Sequence, residues 1–125
     1  MRFHVEHFYN LINSSLSEEK EVNHTSIKKL VEYGRLIHSE NSKYNLTGHK
    51  TLEEIINKLI IESIVPVNLS DVPRGTSAAD MGTGAGIPGL PLAILYPEIR
   101  FTLFDSNNKK TGFIFLSRTY KSTNM

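Results

Sequence analysis

Cysteine is absent from the 125 residues, which excludes disulfides and cysteine-based metal or nucleophile chemistry and fits a reducing cytoplasm. Charge of one sign is also lacking: a net charge of +1 advertises no polyanion binding by the chain as a whole. Long apolar runs are missing. The most apolar stretch, residues 87–96, is too short and too proline-broken to span a bilayer, and residues 1–6 lack the apolar run of a signal peptide, so neither a membrane span nor a leader is expected. The five histidines show no metal-ligand spacing beyond the His4/His7 pair, which reads as an exposed helix face, so no metal is expected. No internal repeat or low-complexity tract is visible. What is present, 39% hydrophobic and 22% charged, suits one soluble globular domain. From Glu98 onward five Lys/Arg face two acids (+3), against nine and eleven before it (−2). That basic end is compatible with RNA contact, but solvated lysines are the preferred reading.

The stretch that organises the rest is Ala78-Ala79-Asp80-Met81-Gly82-Thr83-Gly84-Ala85-Gly86-Ile87-Pro88-Gly89. Glycine at this density lets a ligand approach main-chain N–H groups that a Cβ would shield. Pro88 and Pro91 fit a helix opening, Leu90 and residues 92–95 carry that helix, and Pro97 stops it. A strand before the glycines is expected despite the shortage of β-branched residues in Ser77-Ala78-Ala79. The next strand is Arg100-Phe101-Thr102-Leu103-Phe104, ending at Asp105. That acid lies 25 positions after Asp80, near the roughly 20-residue spacing at which a carboxylate meets ribose hydroxyls.

Two ligands compete for such a loop. Gly84-x-Gly86-x-x-Gly89 satisfies the dinucleotide pattern, in which the loop cradles a pyrophosphate. Asp80-x-Gly82-x-Gly84-x-Gly86 satisfies the pattern of S-adenosylmethionine-dependent methyltransferases, whose ligand carries no phosphate. Asp80 would repel a pyrophosphate but suits a ligand bearing a sulfonium and an amino group. A glycine-rich turn that binds nothing is the third reading. In it Asp80 caps the loop's own N–H groups and Asp105 caps a helix or turn.

Upstream, the spacing of Val5, Phe8, Leu11 and Ile12 predicts a short helix over Phe3 to Ile12, broken by Asn13-Ser14-Ser15. Ser17 with Glu18, Glu19 and Lys20 reads as the cap of a second helix whose stripe is Ile27, Leu30, Val31 and Ile37. Gly34 inside that stripe weakens the helix or lets another backbone come close. Ser39 to Gly48 reads as polar and turn-forming. Thr51 to Glu54 is a capping box, with hydroxyl and carboxylate each expected on a backbone N–H. Leu52, Ile55, Ile56, Leu59 and Ile60 form the face of a third helix, which Pro66 ends. After Asp105 a further helix is expected near Lys109, with Phe113 to Leu116 as its apolar start.

In order along the chain, Tyr44-Asn45-Leu46-Thr47, Glu62-Ser63-Ile64-Val65, the Asp80–Gly89 stretch with its Gly-Ile-Pro-Gly-Leu-Pro-Leu ending, Phe101-Thr102-Leu103-Phe104-Asp105-Ser106, Lys109-Lys110 and Phe113-Ile114 are similar to the small-subunit ribosomal RNA methyltransferase G family, also called glucose-inhibited division protein B. The resemblance runs from about Leu30 to Leu116. It implies an α/β fold: N-terminal helices (residues 1–69) followed by the first half of a Rossmann-like class I S-adenosylmethionine-dependent methyltransferase fold (residues 70–125). It further implies transfer of a methyl group from S-adenosyl-L-methionine to N7 of a guanine in small-subunit (16S) ribosomal RNA, with the 30S subunit as partner. Gly82, Gly84 and Gly86 would then allow close approach of the cofactor, Asp80 would orient its amino group, Ile87 would pack beside it, and Asp105 with Ser106 would take the ribose hydroxyls. Asn45 and Thr47 fall near cofactor or RNA, or serve only as polar turn residues. Lys58-Leu59 stands where the family has an arginine–histidine pair, so no imidazole role is expected there. Guanine N7 presents a lone pair with no proton to remove, and accordingly no catalytic base stands out. Only two strands are countable, so an incomplete copy of that fold is expected. A nicotinamide-dependent oxidoreductase fragment and a non-catalytic remnant are the alternatives.

Overall fold

A computed structural model describes residues 2–16, 24–81 and 86–104. Two long helices come first, α1 (Arg2–Leu16) and α2 (His24–Tyr44). A third helical segment follows in three parts: α3 (Leu52–Glu54), the π-helix π1 (Ile55–Ile61) and α4 (Glu62–Ile64). Then come β1 (Ser77–Met81), α5 (Gly89–Leu95) and β2 (Arg100–Phe104). The two strands pair in parallel, Ser77 against Arg100 through Met81 against Phe104, with α5 as the crossover. The fold is therefore mixed helix and strand with a β–α–β unit after the helices.

Helix α1 runs straight through Asn13-Ser14-Ser15, where the sequence predicts a break. The Ser14 and Ser15 hydroxyls turn back onto the Leu11 carbonyl at 3.1 and 2.8 Å, and Leu16 one turn further on is buried, extending the stripe of Phe8 and Ile12. The Tyr9 hydroxyl is hydrogen-bonded to the His24 imidazole and the two rings stack, joining α1 to the start of α2. The expected Ser17 cap lies outside the described residues.

Helix α2 also outruns its predicted end, reaching Tyr44 rather than yielding to a turn at Ser39. Its buried stripe continues from Leu30 through Tyr33 and Ile37 to Asn41. Asn41 is buried because its amide is used: Oδ1 accepts from Thr47 N–H at 2.9 Å and Nδ2 donates to the His49 carbonyl at 3.2 Å. Gly34 makes room for side chains, not for a backbone. A Cβ there would stand 2.5 Å from Ile56 Cδ1 and 3.3 Å from Ile60 Cδ1.

The Thr51 cap forms in part as predicted. Its Oγ1 accepts from Glu54 N–H at 3.1 Å, but the Glu54 carboxylate accepts from the Thr51 hydroxyl rather than reaching a backbone N–H. The π winding of residues 55–61 follows from where the isoleucines stand. Ile55, Ile56, Ile60 and Ile61 are all buried, and they repeat at an interval of five. Wound as an α-helix at about 100° per residue, the four would spread over roughly 240°. At roughly 80° per residue, as i→i+5 bonding requires, they gather within about 120–130° and face one core. Pro66 ends the segment as predicted, after a last helical bond from Val65 N–H to Ile61.

One apolar cluster joins all of this. Ile12 and Leu16 of α1, Ile27, Leu30 and Ile37 of α2, the π1 isoleucines, Leu90, Leu92 and Ile94 of α5, and Ile99 belong to it. In the sheet, Ala78, Asp80, Phe101 and Leu103 are half-buried while Ser77, Ala79, Arg100 and Thr102 are exposed. The poor strand-former Ala78 is paired in register with Phe101, and Ala79 with Thr102, so β2 supplies the bulk and branching that β1 lacks.

Candidate functional site

The site is assembled where β1 ends and α5 begins. Of the residues predicted to meet a ligand, Asp80, Gly86 and Ile87 are described, whereas Gly82, Gly84, Asp105 and Ser106 lie outside the described residues, as does the helix expected near Lys109. Asp80 is the fourth residue of β1 and half-buried. Its Oδ2 accepts from the Gly89 N–H, the first of α5, at 2.9 Å. A carboxylate at a helix start satisfies an orphan donor and meets the positive end of the peptide dipoles. The capping role foreseen for Asp80 is thus present.

Gly86 and Gly89 close the turn. Gly86 has φ +98°, a conformation L side chains rarely adopt, and a Cβ there would stand 3.0 Å from the Tyr33 hydroxyl oxygen and 3.2 Å from Leu90 Cβ. Its carbonyl accepts from Leu90 N–H at 2.6 Å, and the Pro88 carbonyl accepts from Leu92 N–H at 3.1 Å. Gly89 packs directly on the sheet: a Cβ there would overlap Leu103 Cδ2 and stand 2.8 Å from Asp80 Oδ2. Ile87 is half-buried between the two glycines. Helix α5 ends at Leu95, ahead of Pro97 as predicted, with the Tyr96 N–H on the Leu92 carbonyl.

The structure adds Tyr33, which sequence reasoning missed. Its ring is buried in α2, its hydroxyl faces Gly86, and its phenol is held well above the ordinary tyrosine range, first by burial and then by the Asp80 charge. The available signal was a hydroxyl-bearing ring three residues after Leu30 and four before Ile37, on an otherwise apolar stripe. Asn45 and Thr47 are placed as loop-forming residues. Asn45 takes a left-handed φ of 51° just after α2, with its N–H on the Asn41 carbonyl at 2.9 Å. The Thr47 hydroxyl accepts from His49 N–H at 3.2 Å. Lys58 is exposed and paired with Glu62 at 3.4 Å. Among the described residues, no group of His, Asp and Glu is disposed to hold a metal, and no helix is long and apolar enough to cross a membrane.

A family model for rRNA small subunit methyltransferase G matches residues 26–124, which take in α2 from its third residue and every described element after it to β2. Ribosomal RNA small subunit methyltransferase G of Nitrosococcus oceani is 41% identical over 95 residues, covering 76% of this chain and 43% of its own length. The protein of the same name from Photobacterium profundum is 40% identical over 104 residues (83% and 49%), and that from Clostridium beijerinckii 37% over 108 residues (86% and 45%). The chain spans less than half the length of these relatives. With the match extending over most of its residues, the chain belongs to the rRNA small subunit methyltransferase G family.

Proposed function

We propose that this chain carries the cofactor-binding part of an S-adenosyl-L-methionine-dependent methyltransferase of Rossmann-like design, acting in the cytoplasm on guanine N7 of small-subunit ribosomal RNA. The observation that carries the reading is the Asp80–Gly89 bond of 2.9 Å. It sets a negative charge at the start of α5, where a dinucleotide's pyrophosphate would have to sit. Like charge and an occupied N–H both disfavour that ligand, whereas a ligand with a cationic amino group and sulfonium gains from the same carboxylate. Gly86 is buried, with the Tyr33 hydroxyl and Leu90 standing where its Cβ would go, so its part in this reading is to shape the bend.

When bound, S-adenosyl-L-methionine supplies an electrophilic methyl group. The protein's task is then to bind and align, since N7 attacks through a lone pair and no side chain needs to take a proton. Asp80 orients the amino group, Gly86 shapes the turn against which the ligand lies, and Ile87 covers its apolar part. Gly82 and Gly84 extend the cradle, while Asp105 and Ser106 receive the ribose hydroxyls. Residues 1–69 act as a helical region supporting this half, and the 30S subunit presents the guanine.

Calorimetric titration of the chain with S-adenosylhomocysteine and with NADH tests the cofactor. Saturable binding of the first alone is expected, and binding of NADH alone would replace this reading with the oxidoreductase one. Incorporation of labelled methyl into 30S subunits lacking the modification tests the activity; binding without incorporation would identify a non-catalytic module.

A further inference from the structure

Tyr33 is buried to 3% exposure on a helix stripe that is otherwise apolar apart from Asn41, and a phenylalanine would fill the same space without a polar atom to satisfy. Its oxygen points at a bend whose backbone is left-handed: the place of a Gly86 Cβ is 3.0 Å away. The Asp80 carboxylate is near enough for its charge to act on the phenol. Asp80 is in turn fastened to Gly89, and Gly86 to Leu90. Three separate pieces of chain, α2, the end of β1 and the start of α5, thus meet around one hydroxyl.

We propose that Tyr33 is a positioning residue for the ligand turn, its hydroxyl fixing the Gly86 bend relative to the Asp80 carboxylate so that α2 sets the geometry in which the adenosine-bearing ligand is held. The ligand role rests on the function proposed above, and the coupling of Tyr33 to Gly86 does not. Burial and the neighbouring carboxylate both keep the phenol protonated, so the group acts as a neutral donor and leaves the charge of the site to Asp80. Tyr33 touches no reacting atom in this scheme. Its effect reaches the ligand only through the main chain at Gly86 and the carboxylate at Asp80.

The test uses the full 125-residue chain and S-adenosylhomocysteine as the titrant. Tyr33→Phe is expected to weaken binding by about tenfold, the worth of one well-placed hydrogen bond. Ile37→Val, a core change on the same helix, is expected to lower the melting temperature while leaving the dissociation constant within about twofold. A double-mutant cycle supplies the second readout. Gly86→Ala is expected to reduce the folding constant at least about threefold less in the Tyr33→Phe background than in the parent, because part of its cost is the hydroxyl. Gly75→Ala, at a left-handed φ of 82° with open space around it, is expected to cost the same in both backgrounds. Unchanged binding by Tyr33→Phe, with the parent binding normally, would overturn the positioning role and leave the proposed function standing. Failure of the parent itself to bind would remove that function and the ligand role together. Additivity of Tyr33 and Gly86 would overturn the coupling whichever way the titration falls.

Discussion

Gly86 and Gly89 lack a Cβ for different reasons, and substitution separates them. Gly75 combines a left-handed φ with open space, Gly89 combines ordinary φ with no space, and Gly86 has neither freedom. Gly75→Ala should cost about 1–2 kcal/mol from conformation alone, and Gly89→Ala about 1–3 kcal/mol from overpacking against Leu103 and the displaced Asp80 carboxylate. Gly86→Ala should exceed either, in urea denaturation followed by circular dichroism. Tyr33 makes a pH prediction. The fold favours its neutral phenol, whereas the unfolded chain titrates near the usual value of about 10. Its contribution is therefore intact below about pH 10 and is lost as pH climbs from there through the raised folded value. Melting temperatures between pH 8 and 11 should fall more steeply for the parent than for Tyr33→Phe, the other tyrosines being common to both.

Among the elements, the junction of α2 with π1 is the most exacting. Gly34→Ala would gain about 1 kcal/mol of helix propensity, yet its methyl would stand 2.5 Å from Ile56 Cδ1 inside a closed core. Overpacking of about 1–3 kcal/mol should win, making the variant less stable. Trimming the obstacle in Gly34→Ala/Ile56→Val should recover most of the loss in the same urea titration, which a purely conformational cost would not allow. The elements also mark how far the sequence could be read. Pro66 and Pro97 stop helices through missing N–H groups, a local effect, and both stops were legible. Strand β1 was legible only from its neighbours, because Ala78 and Ala79 borrow bulk from Phe101 and Thr102 across the register. Asn13-Ser14-Ser15 and Ser39 misled because polar, turn-prone residues carry only a local signal, while buried Leu16 and Asn41 just downstream decided the outcome. The five-residue isoleucine interval of π1 was in plain view but reads as an α-helical face unless Ile61 is counted. Tyr33 meets Gly86 from 53 positions away, which no local pattern encodes, whereas the Asp80–Gly89 bond spans nine positions and was legible as a cap.

At the scale of the molecule, helices and β–α–β unit share one apolar cluster running from Phe8 to Ile99. Helix α2 packs on α1 and π1 and also on α5. Unfolding should accordingly be a single transition, with far-ultraviolet circular dichroism and tyrosine fluorescence giving coincident melting curves. Two resolved transitions would mean that residues 1–69 fold as a unit of their own. The π-wound stretch has a consequence for chain length. From Ile55 to Ile61 six steps of roughly 80° and five steps of about 100° end within roughly 20° of the same heading. The segment therefore carries one spare residue. Deleting the exposed Lys58 should let the stretch rewind as ordinary α-helix with Ile61 and Ile64 still pointing inward, and cost little in melting temperature. Deleting the equally exposed Ser39 should swing Asn41 about 100° off its partners and unseat the loop that follows. A family that tolerates insertions and deletions unevenly would, by this reasoning, vary in length at residues 57–59 and hold its length in α2.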